Sequence, residues 1–239
     1  MSRTYSTTSD HLDVTATIVA APATCTLACW FKAGNITTNQ DLISLGTAGS
    51  GDNRRTLRVT ATGAVLANCR DTGSKTATSS TVIADTTTWH LLVAVFDGDS
   101  SRTAYLDAGG AVSNTTAATP SAPDALRISA IHSATLPVVS AGKIAHIAIW
   151  DIALSAGDIT SLLTTLPSGV QAANLVGYWP CTANASPETD SGTGGHALTV
   201  TGTTYDTDNP TIGGTTRGTP FGHRGTAFNG GRTFHGIIQ

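Results

Sequence analysis

The chain has 239 residues, a formal net charge of −3 and a mean hydropathy of +0.05, with 40% hydrophobic but only 12% charged residues. The charged share is about half the usual quarter of a globular domain, so the polar surface must be built from Thr, Ser, Asn and Gly. Such a composition leaves no basic footprint for nucleic acid over the whole chain. No run approaches the roughly 18 apolar residues of a membrane helix. Met1 to Ser6 lacks an apolar signal core, which points to synthesis in a cytoplasm.

The first predicted strands are Leu12 to Val19 and Cys25 to Lys32. Cys25, Leu27, Cys29 and Phe31 share one face of the second by their period of two. Both cysteines read as buried, reduced core thiols, since free Cys is among the most buried residue types. No Cys-x-x-Cys pair or His cluster accompanies them, which argues against zinc. Further strands are expected at Asp41 to Leu45, Arg55 to Ala61 and Ala64 to Arg70, the last two joined at Thr62-Gly63.

Trp89 to Phe96 is apolar on both faces, the mark of a central strand covered on both sides. Asp97-Gly98-Asp99-Ser100 turns it tightly into Arg102 to Asp107. Ala125 to Ile131, Lys143 to Trp150 and Leu175 to Pro180 follow. Many short strands with turn signals between them indicate a sandwich. The four tryptophans, Trp30, Trp89, Trp150 and Trp179, fall on these strands and read as core.

One helix is predicted from Ala156 to about Leu166. Ser155 and Asp158 form a variant capping box, and Leu154 with Ile159 has the spacing of a hydrophobic staple. Ile159, Leu162, Leu163 and Leu166 make its apolar stripe, and Pro167 ends it.

Three stretches resemble laminin-G-like domains of the concanavalin A-like lectin and glucanase family. They are Thr24 to Lys32, the Trp89–Gly98 hairpin with Arg102 to Asp107, and Gly142 to Trp150 running into Ala153-Leu154-Ser155. They occur in the family's order. The resemblance implies an all-β, antiparallel two-sheet jelly-roll sandwich over residues 1–205, with one short helix. Leu175 to Pro180, with Asp190 and Gly195-His196, resembles an opening segment of such domains displaced behind the helix. It either completes the sandwich or starts a partial second unit.

Glycoside hydrolases occur in the same family and need two carboxylates, one acid and one nucleophile or base. Here the sole glutamate is Glu188, in a Ser-Pro-Glu-Thr-Asp loop, so the chain is expected not to be an enzyme. There is no Gly-x-Ser-x-Gly elbow and no phosphate-binding glycine loop. His90 reads as a structural or rim residue and His146 as a satisfied core or surface histidine. No cofactor is expected. The resemblance brings calcium into view through loop oxygens at Asp97-Gly98-Asp99 or Asp206 to Asn209, but neither has the spacing of a calcium loop, and turn formation accounts for both. For a glycan or protein ligand, the best candidate loop residues are Asp52, Asn53, Arg54 and Arg55, which carry most of the local charge.

Residues 206–239 read as a Gly-rich extended arm. After Asp208 there is no acidic residue, and the segment holds Arg217, Phe221, Arg224, Phe228, Arg232 and Phe234. A flexible linker would lack the aromatics, whereas Phe and Arg anchors suit docking on a partner. The expected function is therefore a non-catalytic structural or adhesion subunit of a larger assembly. A bacteriophage virion is favoured, as a capsid decoration, fibre or tail component that is homo-oligomeric and contacts a capsid or tail protein. The alternative is a carbohydrate-binding module or adhesin that uses the sandwich rim, with a host surface glycan as ligand.

Overall fold

A computed structural model describes residues 1–19, 24–131, 141–182 and 184–213. Its first strands are β1 (Ser2–Tyr5), β2 (His11–Val14), β3 (Thr24–Ala33), β4 (Gln40–Gly46) and β5 (Arg54–Val59). Then come β6 (Ala64–Arg70), β7 (Ser74–Val82), β8 (His90–Asp97), β9 (Arg102–Leu106) and β10 (Gly109–Asn114). The remainder are β11 (Ala125–Ile128), β12 (Gly142–Trp150), the helix α1 (Ala156–Ser161), β13 (Leu175–Trp179), β14 (Thr199–Thr201) and β15 (Thr204–Asp206).

These strands form two antiparallel sheets, as the all-β jelly-roll reading expects. An eight-stranded sheet runs β10-β9-β8-β3-β12-β1-β15, with β13 also paired to β12. The other is seven-stranded and runs β14-β2-β11-β4-β5-β6-β7. β13 thus completes the sandwich and does not begin a second unit.

The core lies between the sheets. Cys25, Leu27, Cys29 and Phe31 of β3 face Leu57, Val65, Leu126 and Ile128 of the opposite sheet in one cluster. All four cysteines are free and buried, and burial pushes the Cys25 thiol up to about 12. β8 divides as its sequence predicts: Leu92, Ala94 and Phe96 point into this core, while Leu91, Val93 and Val95 point to a second cluster on the outer side.

That second cluster is where α1 docks. Ser155 caps the helix by accepting from Asp158 N–H, and the Asp158 carboxylate returns the bond to Ser155 N–H. Leu154, Ile159 and Leu162 are buried against Trp30, Val93 and Trp150 of the sheet. The regular helix is shorter than the apolar stripe suggests. It ends at Ser161, and Leu166, expected in the buried stripe, is 44% exposed. Pro167 is itself buried and opens a 3₁₀ turn. Trp89, expected on a strand, stands just before β8, where its indole N–H donates to Asp208 at 3.0 Å.

β12 carries an irregularity that the sequence pattern hides. Its register with β3 shifts between Ala145 and Ala148, and His146 there has a left-handed φ of +49°. The extra residue puts Ala145 and His146 both outward and restores Ile147 and Ile149 to the core. The N-terminal half of the strand pairs with β1 and the C-terminal half with β13.

The chain remains fixed to the sandwich beyond residue 205, the sandwich boundary expected from sequence. Asp208 bridges Lys32 and Lys143, each at 3.0 Å, and Ile212 packs on the outer cluster. Arg217, Phe221, Arg224, Phe228, Arg232 and Phe234 lie outside the described residues.

Candidate functional site

The seven-stranded sheet also has an outward face, and among the described residues no helix packs on it. Strand alternation dictates what it displays. Leu57 and Val59 of β5 point into the core, so Arg54, Thr56 and Arg58 point out. Register then extends one rung across every strand: Thr199, Asp13, Arg127, Ser44, Thr56, Asn68 and Thr76. On one side of it Arg54 lies beside Arg70; on the other, Arg58 lies beside Leu66.

Four arginines therefore share this face, and three have their own carboxylates. Arg58 makes a two-pronged contact with the buried Asp41, at 2.7 and 2.9 Å. Arg127 reaches Asp13 at 3.4 Å, and Arg70 pairs with Asp52. Arg54 is the fourth. It is only 7% exposed, yet its side chain makes no hydrogen bond or ion pair with the described residues, and its Nε is buried without a partner. Burial pushes its guanidinium below the ordinary value, against the pull of Asp41.

Beneath the arginines the floor is polar and unsatisfied. Ser44, Thr56 and Asn68 are 1%, 0% and 2% exposed, and Ser44 Oγ, Thr56 Oγ1 and Asn68 Oδ1 all lack hydrogen-bond partners. Burying such a group unpaired costs on the order of 1–3 kcal/mol, and native folds leave few of them. Three at consecutive rung positions on neighbouring strands, about 5 Å apart, is a concentration that packing alone does not require. The three oxygens are closed to solvent, so a ligand hydroxyl would reach them only where the arginine side chains in register around them move aside.

Of the loop residues expected from sequence, Asp52 and Arg54 belong to this face. Asn53, at a left-handed φ of +52°, accepts instead from Ser121 N–H at 3.3 Å and shapes the loop. Arg55 follows Arg54 in the same strand but points the other way, into the end of the sandwich toward Asp99, at 3.8 Å. Ser44, Thr56, Asn68, Arg58, Arg70 and Arg127 were not singled out by sequence reasoning. The signal that could have found them is period-two alternation, carried across the hairpins of β4, β5 and β6.

The residues match a family model described as the concanavalin A-like lectin/glucanases superfamily over positions 6–160. The chain belongs to this superfamily. No curated protein matches it by sequence. Among solved structures it is similar to a Bacteroides ovatus protein provisionally named as carbohydrate-binding, with a TM-score of 0.60 and 14% identity over 85% of this chain. The matched part is 58% of that protein's own length. It is also similar to a heptameric SAP-like pentraxin from Limulus polyphemus, with a TM-score of 0.53, 16% identity, 64% of this chain and 75% of that one. A third likeness is to the carbohydrate-binding module CBM40 of the Ruminococcus gnavus IT-sialidase, bound to α2,3-sialyllactose. There the TM-score is 0.51 with 16% identity, over 59% of this chain and 82% of that one. At these identities the likeness is one of fold.

Within this lectin-like fold, Glu188 is buried and pairs with the buried Arg3 at 2.7 Å. It ties the 184–190 segment to β1 and is not presented to a groove. His90 shares a 2.7 Å hydrogen bond with Asp107, which raises its pKa. His146 shares one of 2.8 Å with the Tyr178 hydroxyl, and burial lowers it to about 4. That pair borders an open cavity of about 890 Å³ that Met1, Leu166, Pro210 and Ile212 also line. Among the described residues no three His, Cys, Asp or Glu side chains gather as a metal site. Asp206 and Asp208, considered for calcium, are engaged by lysines.

Proposed function

We propose that this chain is a non-catalytic, glycan-binding adhesion module that binds its ligand on the outer face of the seven-stranded sheet. The observation that carries the reading is the unpartnered rung Ser44, Thr56 and Asn68 beneath Arg54. Saccharides are recognised by dense hydroxyl hydrogen bonding, and this rung holds polar oxygens with no partner among the described residues. The lectin-like fold supports it, as does the carbohydrate-binding role named for the B. ovatus and R. gnavus proteins. The engagement of the sole glutamate by Arg3 supports the absence of glycosidase chemistry. The test is a glycan array probed with the labelled full chain. Saturable binding to a saccharide class is expected, abolished by Asn68→Leu and without release of sugar. Retention of no saccharide, or hydrolysis of the one retained, would refute it.

A second reading places the chain in a bacteriophage virion, as a homo-oligomeric capsid decoration, fibre or tail component. It is favoured by the clasp at Asp208, which holds the chain to Lys32, Lys143 and Trp89 just before the Phe- and Arg-bearing sequence. Anything that sequence grips is thereby coupled to a fixed point on the sandwich. Deleting residues 214–239 should leave the sandwich folded and abolish incorporation into particles. Undiminished incorporation of the truncated chain would refute this reading.

A further inference from the structure

Resting on the glycan-binding reading above, we infer that the ligand is an acidic saccharide, and that Arg54 takes its carboxylate. The argument is one of matching. Arg58, Arg70 and Arg127 each have an aspartate, and Arg54, more buried than any of these three, has none. A guanidinium is always charged and presents a planar fork of donors that fits a carboxylate two-pronged. Asp41 and Asp52 pull on Arg54, but neither makes an ion pair with it, so its donors are left for an anion that arrives. Arg70 is the natural second donor. It stands beside Arg54 in register, and its partner Asp52 lies on the 47–53 loop with its side chain 49% exposed, so that pair is open to exchange. Arg58 is different, because its Asp41 is fully buried and remains in place.

The rest of the face argues in the same direction. Neutral sugars are commonly gripped by stacking on an exposed aromatic ring. The outward rung from Thr199 to Thr76 and its neighbours Arg54, Arg58, Leu66 and Arg70 hold no Trp, Tyr or Phe. Recognition here must come from charge and hydrogen bonds. The carboxylate supplies the first by drawing the Arg54 guanidinium outward, and that movement opens Ser44 Oγ, Thr56 Oγ1 and Asn68 Oδ1 to ring hydroxyls for the second.

The experiment is calorimetric titration of the full chain, wild type and the variants Arg54→Gln and Arg54→Lys. The probes are α2,3-sialyllactose, in which the acid is terminal, and trigalacturonate, in which it is part of a uronic chain. Each is paired with its carboxyl-reduced counterpart, and a sulfated neutral disaccharide completes the set. Binding of either acidic probe is expected, and which one binds distinguishes the two sources of the carboxylate. Arg54→Gln should weaken it at least tenfold, and Arg54→Lys by less, because the charge is kept and the fork lost. Carboxyl reduction should weaken wild-type binding at least tenfold and erase the difference between wild type and Arg54→Gln. That readout on unaltered protein stands even if a variant folds poorly, which thermal unfolding would reveal. Equal affinity for the carboxyl-reduced probe would overturn the inference, as would an unaffected Arg54→Gln or binding of the sulfated disaccharide alone. If the array yields a neutral saccharide held by this face, the inference fails while the glycan-binding reading survives. If no saccharide is held at all, both fall together.

Discussion

The two outer faces of the sandwich show opposite solutions to the same problem. The outer face of the eight-stranded sheet is apolar, and α1 with the turns after it covers it. Two polar groups caught beneath that cover are provided for, although Asp151 Oδ1 beside them is buried without a partner. Thr26 donates to Ile152 C=O at 2.8 Å and accepts from Leu154 N–H at 3.0 Å, and the Trp150 indole donates to Val170 C=O at 2.9 Å. The outer face of the seven-stranded sheet is built largely from Arg, Ser, Thr and Asn, and Ser44 Oγ, Thr56 Oγ1 and Asn68 Oδ1 there are left without partners. Single unpartnered polar atoms occur elsewhere, at Tyr5, Arg102 and Asp151, but only here do three stand on consecutive strands of one rung among the described residues. The difference in hydrogen bonding, more than the difference in hydrophobicity, separates scaffold from candidate site.

The largest expected effect breaks the covered face. Trp150 is fully buried, and Trp150→Ala removes its packing together with the bond to Val170. Truncations of this kind cost about 3–5 kcal/mol, which a urea titration would read as a large drop in midpoint. A loss below about 1 kcal/mol would mean that α1 and its turns contribute little, and that the two faces are less different than they look.

The next effect depends on pH. Burial lowers His146 from the ordinary 6.5 to about 4 in the folded chain. The unfolded chain therefore binds a proton at higher pH than the folded one. The contribution is intact above about pH 6.5 and is lost as the pH falls from there, the loss reaching roughly 3 kcal/mol below pH 4. Asparagine tolerates the left-handed conformation of this position better than most residues, so His146→Asn is the control. The stability difference between wild type and variant, measured at pH 7.5, 5.5 and 4, should shift against the wild type as the solution becomes acid. A pH-independent difference would show that His146 titrates as an exposed histidine does, and that the face is not closed over it.

How much of this was legible beforehand follows from what each face is made of. Apolar alternation announces itself, so β3, β8 and β12 stand out in the sequence to within a residue or two, and β6 matches its expected bounds. β7, Ser74–Val82, has only Ala77 and Ser79 buried among Thr, Ser and Lys, so no hydrophobic period marks it. β1 begins at Ser2-Arg3, and what makes it a strand is a buried pair with a glutamate 185 positions away. The bulge at His146 is invisible because Ala145 and Ala148 are small enough to fit either face. The candidate site was half legible. Arg54 and Arg55 look equivalent as a charged pair beside a Gly-rich loop, and only strand alternation sends one outward and the other inward. Ser44, Thr56 and Asn68 are ordinary outward polar residues in any sequence. Their lack of partners is a property of three dimensions, and residue type carries no trace of it.

The smallest effects sharpen the comparison most, because their sign is unusual. On the covered face, removing a buried hydroxyl should destabilise: Thr26→Val would strand Ile152 C=O and Leu154 N–H. On the open face the same change at Thr56 should stabilise. Its hydroxyl is buried with no partner, so valine, close to it in shape, sheds a desolvation cost and leaves no group orphaned. About 1 kcal/mol is expected, or an increase of roughly 2–4 °C in midpoint for a domain of this size. Arg54→Met should act in the same direction, since methionine keeps the packing of the side-chain stem and removes an unpaired buried charge. Both variants should at the same time lose affinity for the acidic probe. Thermal unfolding of Thr26→Val, Thr56→Val and Arg54→Met side by side decides the matter. Should Thr56→Val destabilise as Thr26→Val does, the hydroxyl has a partner after all, and the rung is ordinary scaffold.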